Sequence, residues 1–150
     1  MKPTTTWILI ADGARGRLFV NRGPGKGIEL LDESLDADHR ATHDLVEDRL
    51  GRTYESAGAS RHAIAPHHGH DPHRELKRDF AVRLAKMLDQ RHKEHAYDRL
   101  VLVAPPTALG DLREALSDHV RSLVRAELDK DLTKVPVAEL PGHLAAVLAV

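Results

Sequence analysis

Trp7-Ile8-Leu9-Ile10-Ala11-Asp12-Gly13-Ala14 decides the fold. Five apolar residues in unbroken succession are the pattern of a central strand covered on both faces, and Asp12-Gly13-Ala14 supplies turn chemistry directly after it. Arg17-Leu18-Phe19-Val20 fits a returning second strand. Asn21 to Gly27 is dense in residues that favour positive φ or fix the chain direction, so Ile28 to Leu35 reads as the third strand of an antiparallel meander. A second continuous apolar run, Leu100-Val101-Leu102-Val103-Ala104, is closed by Pro105-Pro106. Thr107 is the expected cap of a following helix with Leu109, Leu112, Leu116 and Val120 inside. Val124, Ala126 and Leu128 alternate with Arg125, Glu127 and Asp129 as a last strand. A final helix is expected over Pro136 to Leu148, with a kink or restart at Pro141.

Between the two halves the regular pattern lapses from Asp36 to Asp71, and a mobile loop is expected there, with a short helix near Asp44 to Leu50. Residues 36 to 48 hold five acids against Arg40, whereas 49 to 70 hold Arg49, Arg52 and Arg61 against Glu55. Asp71 as N-cap and Pro72 at the first helical position open a long helix expected to run to about His95. Leu76, Phe80, Leu84, Met87 and Leu88 form its buried stripe. Its other faces carry Arg74, Lys77, Arg78, Arg83, Lys86, Arg91 and Lys93 and are modestly basic. The whole is predicted to be one α/β domain over 1–150, three layers deep, around a five-stranded mixed sheet.

At 150 residues the chain has the size of one domain, and 41% hydrophobic with 30% charged residues is an ordinary globular composition. A formal net charge of -1 supplies no global attraction to nucleic acid or membrane, so such binding needs a local patch. The absence of cysteine excludes disulfides, thiolate nucleophiles and thiolate-bound zinc, and suits a reducing cytoplasm. No apolar stretch approaches the roughly 18 to 20 residues needed to span a bilayer. No export signal precedes Trp7, so the expectation is a soluble cytoplasmic protein without membrane contact.

Four segments together resemble the bacterial host-attachment protein family: Ala11-Asp12-Gly13-Ala14-Arg15, then Gly51-Arg52 with Ser56-Ala57-Gly58 and Arg61-His62-Ala63, then Leu102-Val103-Ala104-Pro105-Pro106, and Glu127-Leu128-Asp129-Lys130-Asp131-Leu132-Thr133. The order of elements is also similar to the middle domain of archaeal and eukaryotic class-1 release factors. In those proteins the long loop carries a Gly-Gly-Gln tripeptide that helps water attack peptidyl-tRNA. The matching stretch here is Ser56-Ala57-Gly58-Ala59-Ser60-Arg61-His62, without that tripeptide, and Gln90 is the only glutamine. The resemblance implies contact with rRNA, tRNA or the ribosome without release chemistry.

Arg52, Ser56, Gly58, Ser60, Arg61 and His62 are the candidate RNA-binding set, because small residues let backbone approach a phosphate and arginines clamp its oxygens in pairs. A solvated loop whose arginines pair with its own acids is the plainer account. His67, His68, His70 and His73, with Asp71, are candidate metal ligands, weighed against a tract that takes up metal adventitiously. Asp12, Asp129 and Asp131 stand at or near strand ends, where carboxylates bind magnesium in phosphoryl-transfer sites; an Asp-Gly turn and a charged loop explain them as well. Gly23-Pro24-Gly25-Lys26-Gly27 lacks the spacing of a phosphate loop and reads as a turn. The leading expectation is a non-catalytic module without a cofactor. The alternatives are a small metal-dependent hydrolase or phosphoryl-transfer enzyme, and a protein-interaction domain that affects attachment indirectly. Oligomeric state is not encoded in any of these patterns.

Overall fold

A computed structural model describes residues 3–37 and 72–150. Along these residues the elements are β1 (Thr6–Ala11), β2 (Arg15–Asn21), β3 (Glu29–Asp36), α1 (Pro72–Lys93), β4 (Arg99–Val103), α2 (Pro106–Ala115), α3 (Asp118–Arg121), β5 (Val124–Leu128), a 3-10 turn (Val137–Glu139) and α4 (Leu140–Leu144). The strands form a five-stranded sheet in the order β3-β2-β1-β4-β5. β2 runs antiparallel to β1 and β3, while β1, β4 and β5 are parallel. The sheet is mixed, as the meander followed by an alternating half requires.

β1 is apolar throughout because both of its faces are buried. Trp7, Leu9 and Ala11 join Leu100, Leu102 and Ala104 under α1 and α2, with Phe80, Leu84, Leu88, Leu109 and Leu112 above them. Ile8 and Ile10 face the other way with Val101 and Val103, and are covered by Leu132, Leu140 and Leu144. The C-terminal segment thus forms the third layer. Tyr97 locks the first core: its ring stacks on Trp7 at 4.7 Å and its hydroxyl donates to the Leu88 carbonyl at 2.6 Å. Burial and the nearby Asp89 charge push this phenol well above its ordinary range.

The β2–β3 connection is a turn, with Gly25 and Gly27 at φ 74° and 71° in the left-handed region. Asn21 closes it, accepting from the Gly23 amide at 3.1 Å and donating to the Gly27 carbonyl at 2.7 Å.

Three expectations need correction. Thr107 does not cap α2: Pro105 occupies the cap position without a side-chain bond, and Pro106 begins the helix, where its missing N–H costs nothing. The single helix expected through Val120 is two, because Leu116 and Ser117 have extended backbone and Ser117 caps α3 by accepting from the Val120 amide at 3.1 Å. The final helix is shorter than 136–148; a 3-10 turn leads into the five residues of α4, with Pro141 in its first turn. Asp71, the loop from 38 to 71 and its short helix lie outside the described residues.

Candidate functional site

The carboxyl ends of β1 and β4 open into a crevice of about 360 Å³ whose walls include Asp12, Gly13, Lys77, Thr107 and Asp111. Asp12 ends β1 and folds its own turn: Oδ1 accepts from the Ala14 amide at 2.7 Å and the Arg15 amide at 2.8 Å, while its own amide donates to the Arg15 carbonyl at 2.9 Å. Gly13 has no positive φ. Its role is proximity: a Cβ there would stand 2.7 Å from Lys77 Cγ and push the lysine stem aside. The lysine stem lies across the glycine, which brings an ammonium on α1 to the end of β1.

Asp131 and Thr133 reach the same end from beyond β5. The Thr133 hydroxyl donates to Asp131 Oδ1 at 2.6 Å, and the Thr133 amide donates to the same oxygen at 3.0 Å. Asp12 Oδ2 is 3.4 Å from that hydroxyl. One hydroxyl carries one proton, so the shorter contact takes it and Asp12 is a neighbour of the donor. The Thr133 hydrogen bond, with Lys134 and Arg15 nearby, holds the Asp131 carboxyl below its ordinary range. A carboxylate stabilised in its charged form is a poor proton acceptor near neutrality.

Of the three aspartates, Asp12 and Asp131 are brought together by Thr133, whereas Asp129 is an exposed charge near the Arg113–Glu127 pair. Among the described residues no group of three histidine, aspartate or glutamate side chains could hold a metal ion. His73 sits exposed in the first turn of α1; His67, His68 and His70 lie outside the described residues. So do Arg52, Ser56, Gly58, Ser60, Arg61 and His62, the whole RNA-binding set.

The chain on either side of that set is described, and both flanks come to the crevice end of the sheet. β3 finishes with Asp36 opposite Arg15, and the Ala37 amide donates to the Ala14 carbonyl at 2.7 Å. α1 begins at Pro72, and its Arg74 and Lys77 both line the crevice. Arg74 grips Asp111 of α2 through both terminal nitrogens, one of these bonds measuring 2.6 Å. The Asp111 side chain is only 7% exposed, so this pair is a clamp between helices. Sequence had placed Arg74 on a free basic face. The signal for the clamp was an acid between Leu109 and Leu112, on the core side of an amphipathic helix.

The basic face of α1 is correspondingly reduced. Arg91 holds Glu94, Lys93 holds Asp89, and Arg83 donates to the Asp36 carbonyl. Lys77, Arg78 and Lys86 have no ion pair among the described residues.

These features define a three-layer α/β domain that gathers its polar groups at the carboxyl ends of its parallel strands. A family model described as "Protein required for attachment to host cells" matches residues 7–144. The chain belongs to this host-attachment protein family. No curated protein sequence matches it closely enough to count as a relative. Among the described residues, no helix is long and apolar enough to cross a membrane.

Proposed function

We propose that this host-attachment family chain is a non-catalytic cytoplasmic module, release-factor-like in its plan, that contacts RNA or the ribosome through phosphate. The observation carrying this reading is the convergence of both flanks of the 38–71 segment on the crevice end, beside Lys77 and Arg15. The chain therefore leaves β3 and enters α1 at a place that already presents cations. Phosphate contact needs only such local charge, so a near-neutral chain is no obstacle. A hydrolytic reading is weaker. Asp12 Oδ1 is taken up by its turn, and Asp131, stabilised as a carboxylate, is a poor proton acceptor near neutrality.

The test is co-sedimentation with ribosomes and binding to RNA across a salt series. Changing Arg52 and Arg61 together to Ala should leave folding intact, weaken association, and reduce the salt slope by about one to two units. A folded double variant that binds as wild type at every salt concentration would defeat the reading. Partner recovery that is insensitive to RNase would point to a protein-interaction domain instead.

A further inference from the structure

The opposite end of the sheet carries a second cavity, of about 300 Å³, between the start of the parallel strands and the C-terminal segment. Thr6, Arg99 and Arg125 line it, with Val147 and Leu148 as an apolar wall and Asn21 on the far side. The register explains the grouping. Thr6 pairs with Arg99 of β4 on one side and with Asn21 of β2 on the other, so the three form a row across adjacent strands. Arg125 is the second residue of β5, which flanks β4.

Two features of this row have no internal explanation. Thr6 is 4% exposed, yet its hydroxyl has no hydrogen-bond partner among the described residues. Thr6 lines the cavity, so its hydroxyl is within reach of a molecule bound there. A nearly buried hydroxyl ordinarily has a partner. The guanidiniums of Arg99 and Arg125 likewise have no ion pair or hydrogen bond among the described residues, whereas those of Arg22, Arg113 and Arg121 each hold a carboxylate. Asp98, adjacent to Arg99, turns its carboxylate to the Thr5 amide at 2.9 Å. Both arginines are exposed, and their guanidiniums can turn onto an anion held in the cavity they line. Asn21 is held at both ends of its amide by the turn, one N–H donating to Gly27 and the oxygen accepting from Gly23, and it serves as a rim.

We propose that this cavity is a binding site for a small phosphate monoester: Arg99 and Arg125 hold the phosphate oxygens, Thr6 donates its hydroxyl to one of them, and the short aliphatic part of the ligand lies on Val147 and Leu148. Guanidinium forks match the geometry of phosphate oxygens. The volume is at the small end of ligand pockets, which suits a compact ester and not a polymer strand. The site is at the other end of the sheet from the Asp12 crevice and stands independently of RNA contact there.

The test is an NMR titration of the isotope-labelled full chain with n-butyl phosphate, with butyrate and a short RNA as parallel arms. Saturable shifts at the Thr6, Arg99 and Arg125 amides are expected. Arg99→Gln with Arg125→Gln, both at exposed positions, should weaken binding about 100-fold, one decade for each charge-assisted contact. Thr6→Val, which keeps the strand shape, should weaken it about 5-fold. Unsaturable shifts, or equal affinity in the double variant, would overturn the site. Butyrate binding as tightly as the ester would overturn the phosphate assignment, and displacement of the ester by RNA at lower concentration would overturn the small-molecule assignment.

Discussion

Asp131 shows how a neighbouring hydroxyl stabilises the charged form of a surface acid. Its carboxyl is stabilised in the ionised form by the Thr133 hydroxyl, and a group with a lowered folded-state value contributes stability above its unfolded value. That contribution is present above about pH 4 and is lost as pH falls through the lowered value. Thr133→Val removes the donor and keeps the shape of a 7% exposed side chain. The Asp131 carboxyl should then titrate higher in an NMR pH series. Stability at pH 7 should drop by about 1 kcal/mol, modest because the carboxylate is largely in water, and the difference from wild type should shrink by pH 3. A difference that stayed constant across the range would mean that packing, and not the hydrogen bond, is what the variant loses. Sequence singled out Asp131 as a candidate carboxylate but not its pairing with Thr133, because Asp129-Lys130-Asp131-Leu132-Thr133 also reads as a charged, solvated loop. The link between two residues so close in sequence is a turn geometry that composition does not reveal.

Elements were legible in proportion to how much of their pattern comes from burial. β1 and β4 lie between two cores, so continuous apolar runs announced them; α1 has one buried face, and Phe80, Leu84 and Leu88 fall on it as expected. The division of α2 from α3 was hidden because Leu109, Leu112, Leu116 and Val120 keep helical spacing across the break and all enter the same core. Ser117-Asp118 is the cap signal that periodicity masked; its hydroxyl accepts from the Val120 amide and donates to Asp89 at 3.0 Å, lowering the Asp89 carboxyl. The end of α1 falls at Lys93, and the turn that closes it runs through His95, close to the expected end. His95 adopts φ 62°, the His95 amide donates to the His92 carbonyl at 2.9 Å, and the Ala96 amide to the Arg91 carbonyl at 3.0 Å, which is a Schellman termination with histidine where glycine is usual. His95→Gly should relieve the left-handed strain and exceed His95→Ala in stability by about 1 kcal/mol in chemical denaturation. Equal stabilities for the two variants would show that this backbone carries no strain.

On the scale of the whole molecule, the third layer is held to the sheet by one buried cation as well as by its leucines. Arg17 of β2 is 7% exposed, and its Nη1 donates to the carbonyls of Val135 at 2.7 Å, Leu132 at 3.3 Å and Thr133 at 3.4 Å. Its Nε has no hydrogen-bond partner among the described residues, and Glu33 at 3.7 Å compensates charge without accepting a proton. Sequence read Arg17 as an ordinary strand residue, because its partners are backbone carbonyls more than a hundred positions away and leave no mark in side-chain pattern. The candidate phosphate-binding arginines of the 38–71 segment present the opposite case: residue chemistry singled them out, while their placement lies outside the described residues. α4 has five residues, too few to persist alone, so its order depends on Leu140 and Leu144 staying on Ile8, Ile10, Val101 and Val103. Arg17→Met keeps an unbranched apolar stem and removes the donors, leaving three carbonyls turned toward a buried methyl group. A loss of about 3 kcal/mol is expected, the lower end for breaking a buried charged contact. Hydrogen exchange should locate it: amides of Leu140 to Leu144 should lose protection well before those of β1 and β4, because releasing 132–135 frees the layer that follows. Equal loss of protection in both places would show that the C-terminal layer and the sheet unfold as one unit, and that the clamp does not set the boundary between them.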